Sequence, residues 1–188
     1  MTAEQALGAS AGPVRTVVLS VGSNLGDRLG HLQLALSVLC VTGLTCQAVS
    51  SVYETDPVGG PEQESFFNAV LLAASALPAR DILARCQVAE AAAGRVRAER
   101  WGPRTLDVDV IACGDEVSTD PELTLPHPRA HERAFVLVPW LEVAPDATLP
   151  GYGRVAQLPA VARPAGIRRQ PNLRLLLPAI ARAEAAGR

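Results

Sequence analysis

Short apolar runs and longer stretches with helical periodicity follow one another along the chain, and they predict strands and helices in turn. The run "RTVVLSVGSN" from Arg15 is mostly apolar and ends in Gly and Asn, which predicts a buried strand. Between Leu29 and Leu39 leucine recurs at helical spacing, so a helix follows. The runs "LTCQAVSSVYET" and "FFNAVLLAAS" predict a second and a third strand, separated by the Pro/Gly-rich loop "DPVGGPEQES".

A second helix is predicted after the third strand. Pro78 suits its first turn, where the missing N–H costs nothing, and Gly94 suits its end. Apolar residues recur at helical spacing from Ile82 to Ala93 and form one stripe. This stripe leaves Gln87 and Glu90 together on another face of the helix.

The stretch "TLDVDVIAC" alternates as a strand does, and it carries two like charges on one face. Leu106 and Val108 point to one side, whereas Asp107 and Asp109 point to the other. Residues i and i+2 of a strand lie roughly 7 Å apart on the same surface. The pair Gly114-Asp115 predicts a two-residue hairpin turn into a further short strand, "EVST".

The resulting order β-α-β-β-α-β predicts an α+β fold with a ferredoxin-like core, in which helices pack on a mainly antiparallel sheet. A Pro-bounded segment with a short helix around residues 131–141 follows. We expect residues 1–14 to be a poorly ordered leader, 15–154 to form a single catalytic domain, and 155–188 to be a C-terminal tail whose role the sequence does not indicate.

Charge and composition exclude several classes of partner. The 188-residue chain has a formal net charge of −2 and no polybasic segment, so we expect no nucleic-acid or membrane partner. Its 17 basic residues are all arginine, which excludes a P-loop because that motif needs lysine. Cys40, Cys46, Cys86 and Cys113 form no C-x-x-C pair and no zinc spacing, which predicts reduced, mostly buried thiols in a cytoplasmic protein.

Asp107 and Asp109 destabilise each other unless a positive group lies between them. The charge could be offset by solvent on an exposed strand face, by arginine, or by Mg²⁺, which is usually held by one or two carboxylates plus substrate phosphates. Four arginines and Trp101 lie just upstream, in "GRVRAERWGPR". Such a run is often a solvated face, but beside two carboxylates it resembles a phosphate clamp, because guanidinium groups bind phosphate oxygens bidentately. The combination indicates phosphoryl-type transfer from a nucleotide.

Four blocks of sequence, in order, resemble the signature segments of the 6-hydroxymethyl-7,8-dihydropterin pyrophosphokinase family. They are "SVGSNLGDR", "VYETDPVGGPEQESFFNAV", "GRVRAERWGPRTLDVDVI" and "LTLPHPRAHERAFVLVPWLEVAP". The resemblance covers roughly residues 15–150. It implies transfer of the β,γ-pyrophosphoryl group of ATP to the hydroxymethyl oxygen of a reduced pterin, with release of AMP, in folate biosynthesis.

The resemblance also implies two Mg²⁺ ions at Asp107 and Asp109, so the two carboxylates would face the ATP phosphates through the metals. Arg95 and Arg104 would complete the catalytic set by contacting those phosphates. Many members carry a lysine in the loop before Trp101, and this chain has none there. Further ATP contacts would come from Gln87, Glu90, Arg97, Trp101, Thr124, His127 and Arg133.

For the pterin, the resemblance implies a ring held between two aromatic side chains, hydrogen-bonded along its edge and covered by an indole. Phe66 and Phe135 would hold the ring between them, and Trp101 would cover it. The hydrogen bonds along the ring edge would come from Asn68, Thr55 and the backbone of Val58. We expect a monomer that acts on these two small molecules.

Two other functions stay open from the residues alone. A D-x-D metal site also occurs in nucleotide-sugar transferases, although those usually need a larger nucleotide-binding sheet than this chain can form. A non-catalytic ferredoxin-like binding module would bury its core equally well, but it would not need two carboxylates on one face. AMP release that depends on hydroxymethyl-dihydropterin separates all three.

Overall fold

The computed structural model describes residues 12–41, 43–57, 62–95 and 102–179. Its helices are α1 (Arg28–Leu39), α2 (Ala79–Ala92), α3 (Ala134–Val143) and α4 (Pro159–Ala162), with single 3₁₀ turns at Ala130–Glu132 and Val155–Gln157. Its strands are β1 (Arg15–Ser23), β2 (Thr45–Val49), β3 (Tyr53–Thr55), β4 (Phe66–Ser75), β5 (Asp107–Cys113), β6 (Ser118–Asp120), β7 (Leu123–Leu125), β8 (Thr148–Leu149), β9 (Gly153–Arg154) and β10 (Ile167–Arg169).

Six strands form one antiparallel sheet in the order β10-β3-β4-β1-β5, with β2 also paired to β4. Strand β1 lies between β4 and β5, so the first strand of the chain is central to the sheet. Helix α1 connects β1 to β2 and α2 connects β4 to β5, and the two strands of each pair are not neighbours in the sheet, as the ferredoxin-like arrangement requires. The predicted α+β fold is confirmed.

The two faces of the sheet have different coverings. Side chains that alternate along β1 from Val17 to Val21 pack with the leucines of α1 and the apolar stripe of α2 in the larger hydrophobic core. On the opposite face, Val18 packs with Val70 and Ile111 beneath α3 and α4. This second core covers only part of its face, and the sheet continues beyond it with polar residues.

The helix boundaries follow local chemistry. The carboxylate of Asp27 caps α1 by accepting a hydrogen bond from the Gly30 N–H at 2.9 Å. Helix α2 starts directly after Pro78, and Gly94 ends it with φ +67°, a backbone angle that favours glycine. The predicted apolar stripe of α2 is buried. Glu90 is buried, whereas Gln87, three residues earlier on α2, is exposed.

The predicted second strand is broken into β2 and β3. The hydroxyl of Ser50 accepts a hydrogen bond from the Val70 N–H at 3.0 Å, where a backbone carbonyl would stand in a regular ladder. The Ser50 N–H donates in turn to the Val70 carbonyl at 2.9 Å. The serine therefore interrupts the ladder, and both short strands pair with different parts of the long β4.

The predicted hairpin at Gly114-Asp115 is wrong, because β6 pairs with β7 and not with β5. The outer edge of β5 is already occupied. The Val108 N–H donates to the Glu90 carboxylate at 2.9 Å, and the Ile111 carbonyl accepts from the His127 N–H at 2.9 Å. A returning strand would have to displace both bonds, so "EVST" turns away from the sheet.

The prediction of four reduced thiols is wrong for Cys40 and Cys46, which form a disulfide with 5.4 Å between their Cα atoms. Cys40 ends α1 and Cys46 lies on β2, and the short connection between them brings the two sulfurs together. Cys86 and Cys113 are free and buried, as predicted. Burial raises the pKa of the Cys113 thiol to about 11, so it stays protonated.

Residues beyond Val155 contribute to the sheet and the larger core. Strand β10 pairs antiparallel with β3. Farther on, Leu175 is buried in the core beside α1. The amide of Gln33 on α1 holds this segment by donating to the Leu176 carbonyl at 2.8 Å and accepting from the Leu176 N–H at 2.9 Å. No helix within the described ranges is long and apolar enough to span a bilayer.

Candidate active site

Asp107 and Asp109 lie on the polar part of the sheet face that α3 partly covers. Asp109 pairs with Ser20 of β1 and Asp107 with Gly22, so both point to the same side as Ile111, which lies under α3. Their side chains are 27 % and 32 % exposed, which leaves the carboxylates open to a ligand.

Each aspartate is paired with arginine. Asp107 binds Arg104 through Oδ2 at 2.9 Å and Arg95 through Oδ1 at 2.8 Å. Asp109 binds Arg133 through Oδ2 at 2.8 Å. Of the three ways to offset the repulsion between the aspartates, the structure therefore shows pairing with arginine. The arginines come from three places: the end of α2, the segment before β5 and the residue before α3.

Glu90 is a buried member of the same cluster and lies at the outer edge of β5. Its Oε1 accepts from the Val108 N–H at 2.9 Å and also binds Arg95. The three carboxylates of Glu90, Asp107 and Asp109 thus face three guanidinium groups, and the formal charges of these six side chains sum to zero. Gln87 lies one turn earlier on α2, exposed to solvent.

His127 stands next to Asp109 on the segment between β7 and α3. Its Nδ1 accepts from the Arg129 N–H at 3.1 Å, and its Nε2 lies 3.4 Å from Arg133 Nη1 and 3.7 Å from Asp109 Oδ2. Burial lowers the pKa of His127, and the charge of Asp109 opposes that shift. Thr124 lies on β7, where its hydroxyl donates to the Asp120 carbonyl at 3.0 Å.

Asn68 and Thr55 lie beside the aspartates on the same face of the sheet. Asn68 is 4 % exposed and Thr55 is 6 % exposed, and the Asn68 amide donates to the Thr55 hydroxyl at 2.7 Å. Gly22 separates Asn68 from Asp107 across β1. A Cβ at Gly22 would lie 2.8 Å from Asn68 Oδ1, so the glycine provides the space in which this amide sits.

Two phenylalanines border this polar patch, both partly exposed. Phe66 pairs with Thr55 in the register between β3 and β4. Phe135 lies in the first turn of α3, with the Arg133 guanidinium 5.5 Å from its ring centroid. A sandwich of these two rings around a ligand stays a prediction. Val58, Arg97 and Trp101 lie outside the described residues.

Asn24 is a site residue that the sequence reasoning missed. It is 1 % exposed, and its amide nitrogen donates to Gln63 Oε1 at 2.9 Å and to the Glu64 carbonyl at 3.2 Å. Its amide oxygen accepts from the Arg104 N–H at 2.8 Å. Asn24 thereby joins the end of β1 to the segments before β4 and β5. The sequence showed Asn24 only as the end of the first predicted strand; the available signal was a polar amide at the end of an apolar run.

Asn24 also lines an open cleft of about 440 Å³. The cleft is bounded by the turn after β1, by the segment before β4 and by the segment before β5. Its lining residues are Asn24, Leu25, Gly26, Glu62, Gln63, Glu64 and Pro103. The lining contains none of the aspartates or arginines of the charged cluster; Asn24, whose amide oxygen accepts from the Arg104 N–H, connects the cleft to that cluster.

The family model for 7,8-dihydro-6-hydroxymethylpterin-pyrophosphokinase matches residues 18–145. The chain belongs to this family. The 2-amino-4-hydroxy-6-hydroxymethyldihydropteridine pyrophosphokinase of Mycobacterium tuberculosis H37Rv is 53 % identical over 143 residues, which are 71 % of this chain and 74 % of the relative. The Pseudomonas aeruginosa enzyme of the same name is 38 % identical over 162 residues, 85 % of this chain and 99 % of the relative.

Solved structures show the same fold. The HPPK-DHPS of Plasmodium falciparum, crystallised with pterin and p-hydroxybenzoate, matches 80 % of this chain with a TM-score of 0.59 and 13 % identity. The chain spans 42 % of that protein's length. At this identity the comparison supports the fold alone. Family membership makes the chain a pyrophosphokinase, a transferase of folate biosynthesis with ATP as substrate.

Proposed function

We propose that the chain transfers the β,γ-pyrophosphoryl group of ATP to the hydroxymethyl oxygen of 6-hydroxymethyl-7,8-dihydropterin and releases AMP, at the sheet face that carries Asp107 and Asp109. The observation that carries the proposal is the charged cluster itself. It is partly exposed, it joins two adjacent carboxylates to three arginines, and it occurs in a chain of the pyrophosphokinase family.

The chemistry of the carboxylate pair fits Mg²⁺. Among the described residues, no group of three or more His, Cys, Asp or Glu side chains is placed to hold a metal ion. Mg²⁺ usually takes one or two carboxylates and fills its remaining positions with phosphate oxygens and water. Two Mg²⁺ ions held by Asp107 and Asp109 would neutralise charge on the transferred group. Two Mg²⁺ offset the four negative charges of a fully ionised ATP.

The arginines provide the positioning. Arg95, Arg104 and Arg133 already stand at the two aspartates, within 2.8–2.9 Å of carboxylate oxygens. Phosphate oxygens present the same kind of acceptor, so the guanidinium groups can exchange one for the other with little rearrangement. An alcohol attacking phosphorus needs orientation and charge neutralisation more than covalent help. Glu90 serves by holding Arg95 in place.

The pterin side of the site uses neutral hydrogen-bonding groups. The buried Asn68 and Thr55 offer an amide and a hydroxyl next to the aspartates, which suits the donors and acceptors along a pterin edge. Phe66 and Phe135 border this pair and would contact the two faces of a flat ring. Val58 and Trp101 complete the proposed pterin contacts, and Gln87, Arg97, Thr124 and His127 the proposed nucleotide contacts.

The deciding experiment measures AMP formation from ATP with and without hydroxymethyl-dihydropterin. We expect AMP to appear only when the pterin and Mg²⁺ are both present, in equal amount to the pterin diphosphate. A nucleotide-sugar transferase or a binding module would release no AMP. Absence of pterin-dependent AMP from the folded protein would overturn the proposal.

We further propose that the enzyme acts as a monomer in the cytoplasm and binds no nucleic acid. The weak net charge of −2 supports the last point, because it gives no attraction for a phosphate backbone. Sedimentation of the purified chain tests the monomeric state, and a mass near twice 19.7 kDa would contradict it.

A further inference from the structure

Glu142 lies at a position where a carboxylate is unfavourable, yet it is surrounded by hydrogen-bond donors. It belongs to the last turn of α3, and the negative end of the helix dipole repels a negative side chain there. Its two oxygens nevertheless accept four hydrogen bonds. The donors are the Ser51 N–H at 3.0 Å, the Ser51 hydroxyl at 2.6 Å, the Tyr53 hydroxyl at 3.0 Å and the Arg169 guanidinium at 3.3 Å.

Together with Glu142, the three donor residues Ser51, Tyr53 and Arg169 form one connected group, which we call the Glu142 clamp. Arg169 also donates through Nε to the Ser51 hydroxyl at 3.0 Å, so the group closes on itself. Tyr53 is 8 % exposed, and burial together with Glu142 raises its pKa to about 12, which keeps the hydroxyl protonated as a donor. The clamp therefore joins the end of α3 to β3 and β10.

The elements that the clamp joins carry the proposed pterin contacts at their other ends. Thr55 lies two residues after Tyr53 on the same face of β3. Phe135 lies seven residues before Glu142 on α3, about 10 Å along the helix axis. Because α3 and β3 are short and continuous, fixing one end of each limits the distance between Thr55 and Phe135.

Strand β10 supports β3 from its outer side. Its register places Ile167 opposite Thr55 and Arg169 opposite Tyr53. Two further backbone bonds bracket β3: the Asp56 N–H donates to the Gly166 carbonyl at 3.2 Å, and the Gln170 N–H donates to the Val52 carbonyl at 2.8 Å. Without β10, the three residues of β3 would form an edge strand held on one side only.

We propose that Glu142 is a positioning residue for the pterin, acting through Tyr53 and Arg169, and that the C-terminal strand β10 is part of this support. The inference rests on the proposed placement of the pterin at Thr55, Asn68 and Phe135. Glu142 itself touches no reacting group. Its effect should therefore appear in pterin binding and not at the nucleotide, which is bound at the arginine cluster on β5.

The test uses Glu142→Ala, Tyr53→Phe, Arg169→Ala and Arg169→Lys, with Arg154→Ala as the matched control. Arg154 forms an ion pair with Asp146 at 2.7 Å on the surface, away from β3. KM for each substrate is measured with the other saturating, and melting temperature is measured in parallel. We expect the KM for the pterin to rise about tenfold in Glu142→Ala and several-fold in Tyr53→Phe and Arg169→Ala, with the KM for ATP within about twofold of wild type.

Arg169→Lys keeps the charge but cannot donate to Ser51 and Glu142 through two nitrogens at once, so it should reverse only part of the rise in the KM for the pterin seen in Arg169→Ala, and Arg154→Ala should not change that KM. A lower melting temperature with both KM values unchanged would overturn the proposal and leave the clamp a stabilising contact only. If Glu142→Ala does not fold, Tyr53→Phe decides, because it keeps the ring and removes one hydroxyl. A wild-type protein without pterin-dependent AMP release would instead refute the proposed function, so the two failures differ.

Discussion

Asp107 and Asp109 concentrate the chemistry of this chain on two neighbouring carboxylates of one strand. The cost of bringing them together is offset by arginine in the structure and, in the proposed reaction, by Mg²⁺. Both partners are possible because the carboxylates are about one-third exposed and can exchange one cation for another. A fully buried pair would have to stay with its first partner.

Replacing either aspartate should therefore remove activity and leave the fold intact. We expect Asp107→Ala and Asp109→Ala to lower kcat/KM by about 10²–10⁴-fold, because a metal stabilises transition-state charge by several kcal/mol. Stability should change by less than about 1 kcal/mol, since the lost ion pairs are partly solvated. Steady-state AMP formation and urea unfolding measure the two effects. Asp146→Ala, which breaks an exposed ion pair, is the control, and near wild-type turnover by either site variant would contradict the metal assignment.

Gly22 gives a second residue-scale prediction, because a methyl group there would meet Asn68 Oδ1 at 2.8 Å. We expect Gly22→Ala to displace the Asn68 amide and to raise the KM for the pterin about tenfold, as losing one well-placed hydrogen bond does. The KM for ATP should change little. Gly12→Ala is the matched control, since its Cβ would lie 3.6 Å from the Ala76 carbonyl, an ordinary contact. Equal effects on the two KM values would place Asn68 away from the pterin.

At the scale of elements, the sequence indicated regular segments well and their interruptions poorly. Strand β4 and helix α1 agree with the prediction, because apolar runs and leucine periodicity report directly on burial. The break at Ser50 and the absence of the predicted hairpin after Gly114 depend on hydrogen bonds with distant residues: with Val70 in the first case, and with Glu90 and His127 in the second. Such bonds leave no periodic signal in the chain.

The same reason explains which site residues were missed. The aspartate pair was visible because its spacing alone creates an electrostatic problem. Asn24 was not, since its importance comes from joining segments that are far apart in the sequence. Helical spacing placed Glu90 with Gln87 on one face of α2, but it gave no sign that the Glu90 carboxylate accepts a hydrogen bond from the Val108 N–H of β5. The sequence alone thus reveals a pair of like charges more readily than it reveals hydrogen bonds between segments that are far apart in the chain.

Replacing Gln33 tests how much the segment around Leu176 contributes to the stability of the fold. Its amide makes two hydrogen bonds to the backbone of Leu176, at 2.8 and 2.9 Å, in the manner of a neighbouring strand. We expect Gln33→Ala to lower the free energy of unfolding by about 1–2 kcal/mol, since both bonds are lost together. Ser37→Ala, one turn later on α1, removes only a bond within the helix and should be close to neutral. Urea unfolding compares the two, and equal stabilities would mean that the segment is not held by Gln33.

At the scale of the whole molecule, the balance of charge in the site makes the binding of Mg²⁺ and of nucleotide depend on each other, and the stability of the native state reports on that binding. Glu90, Asp107 and Asp109 neutralise Arg95, Arg104 and Arg133. A nucleotide alone would add negative charge to a balanced cluster beside two carboxylates, whereas nucleotide and Mg²⁺ together add little net charge. Binding of each should therefore depend strongly on the other, which is a coupling between two ligands of one site.

Thermal unfolding with a non-hydrolysable ATP analogue tests this coupling. With Mg²⁺ and analogue at about a hundredfold excess over Kd, linkage stabilises the native state by about 2.7 kcal/mol, which raises Tm by about 5–10 °C in a chain of this size. Chelation of the metal with EDTA should remove most of this rise, because the two aspartates then repel the phosphates. In Asp109→Ala the analogue should raise Tm only slightly, and this rise should be the same with and without Mg²⁺. An equal shift with and without metal in the wild-type protein would mean that the arginines bind the nucleotide alone, and that the aspartates serve only to hold the arginines in place.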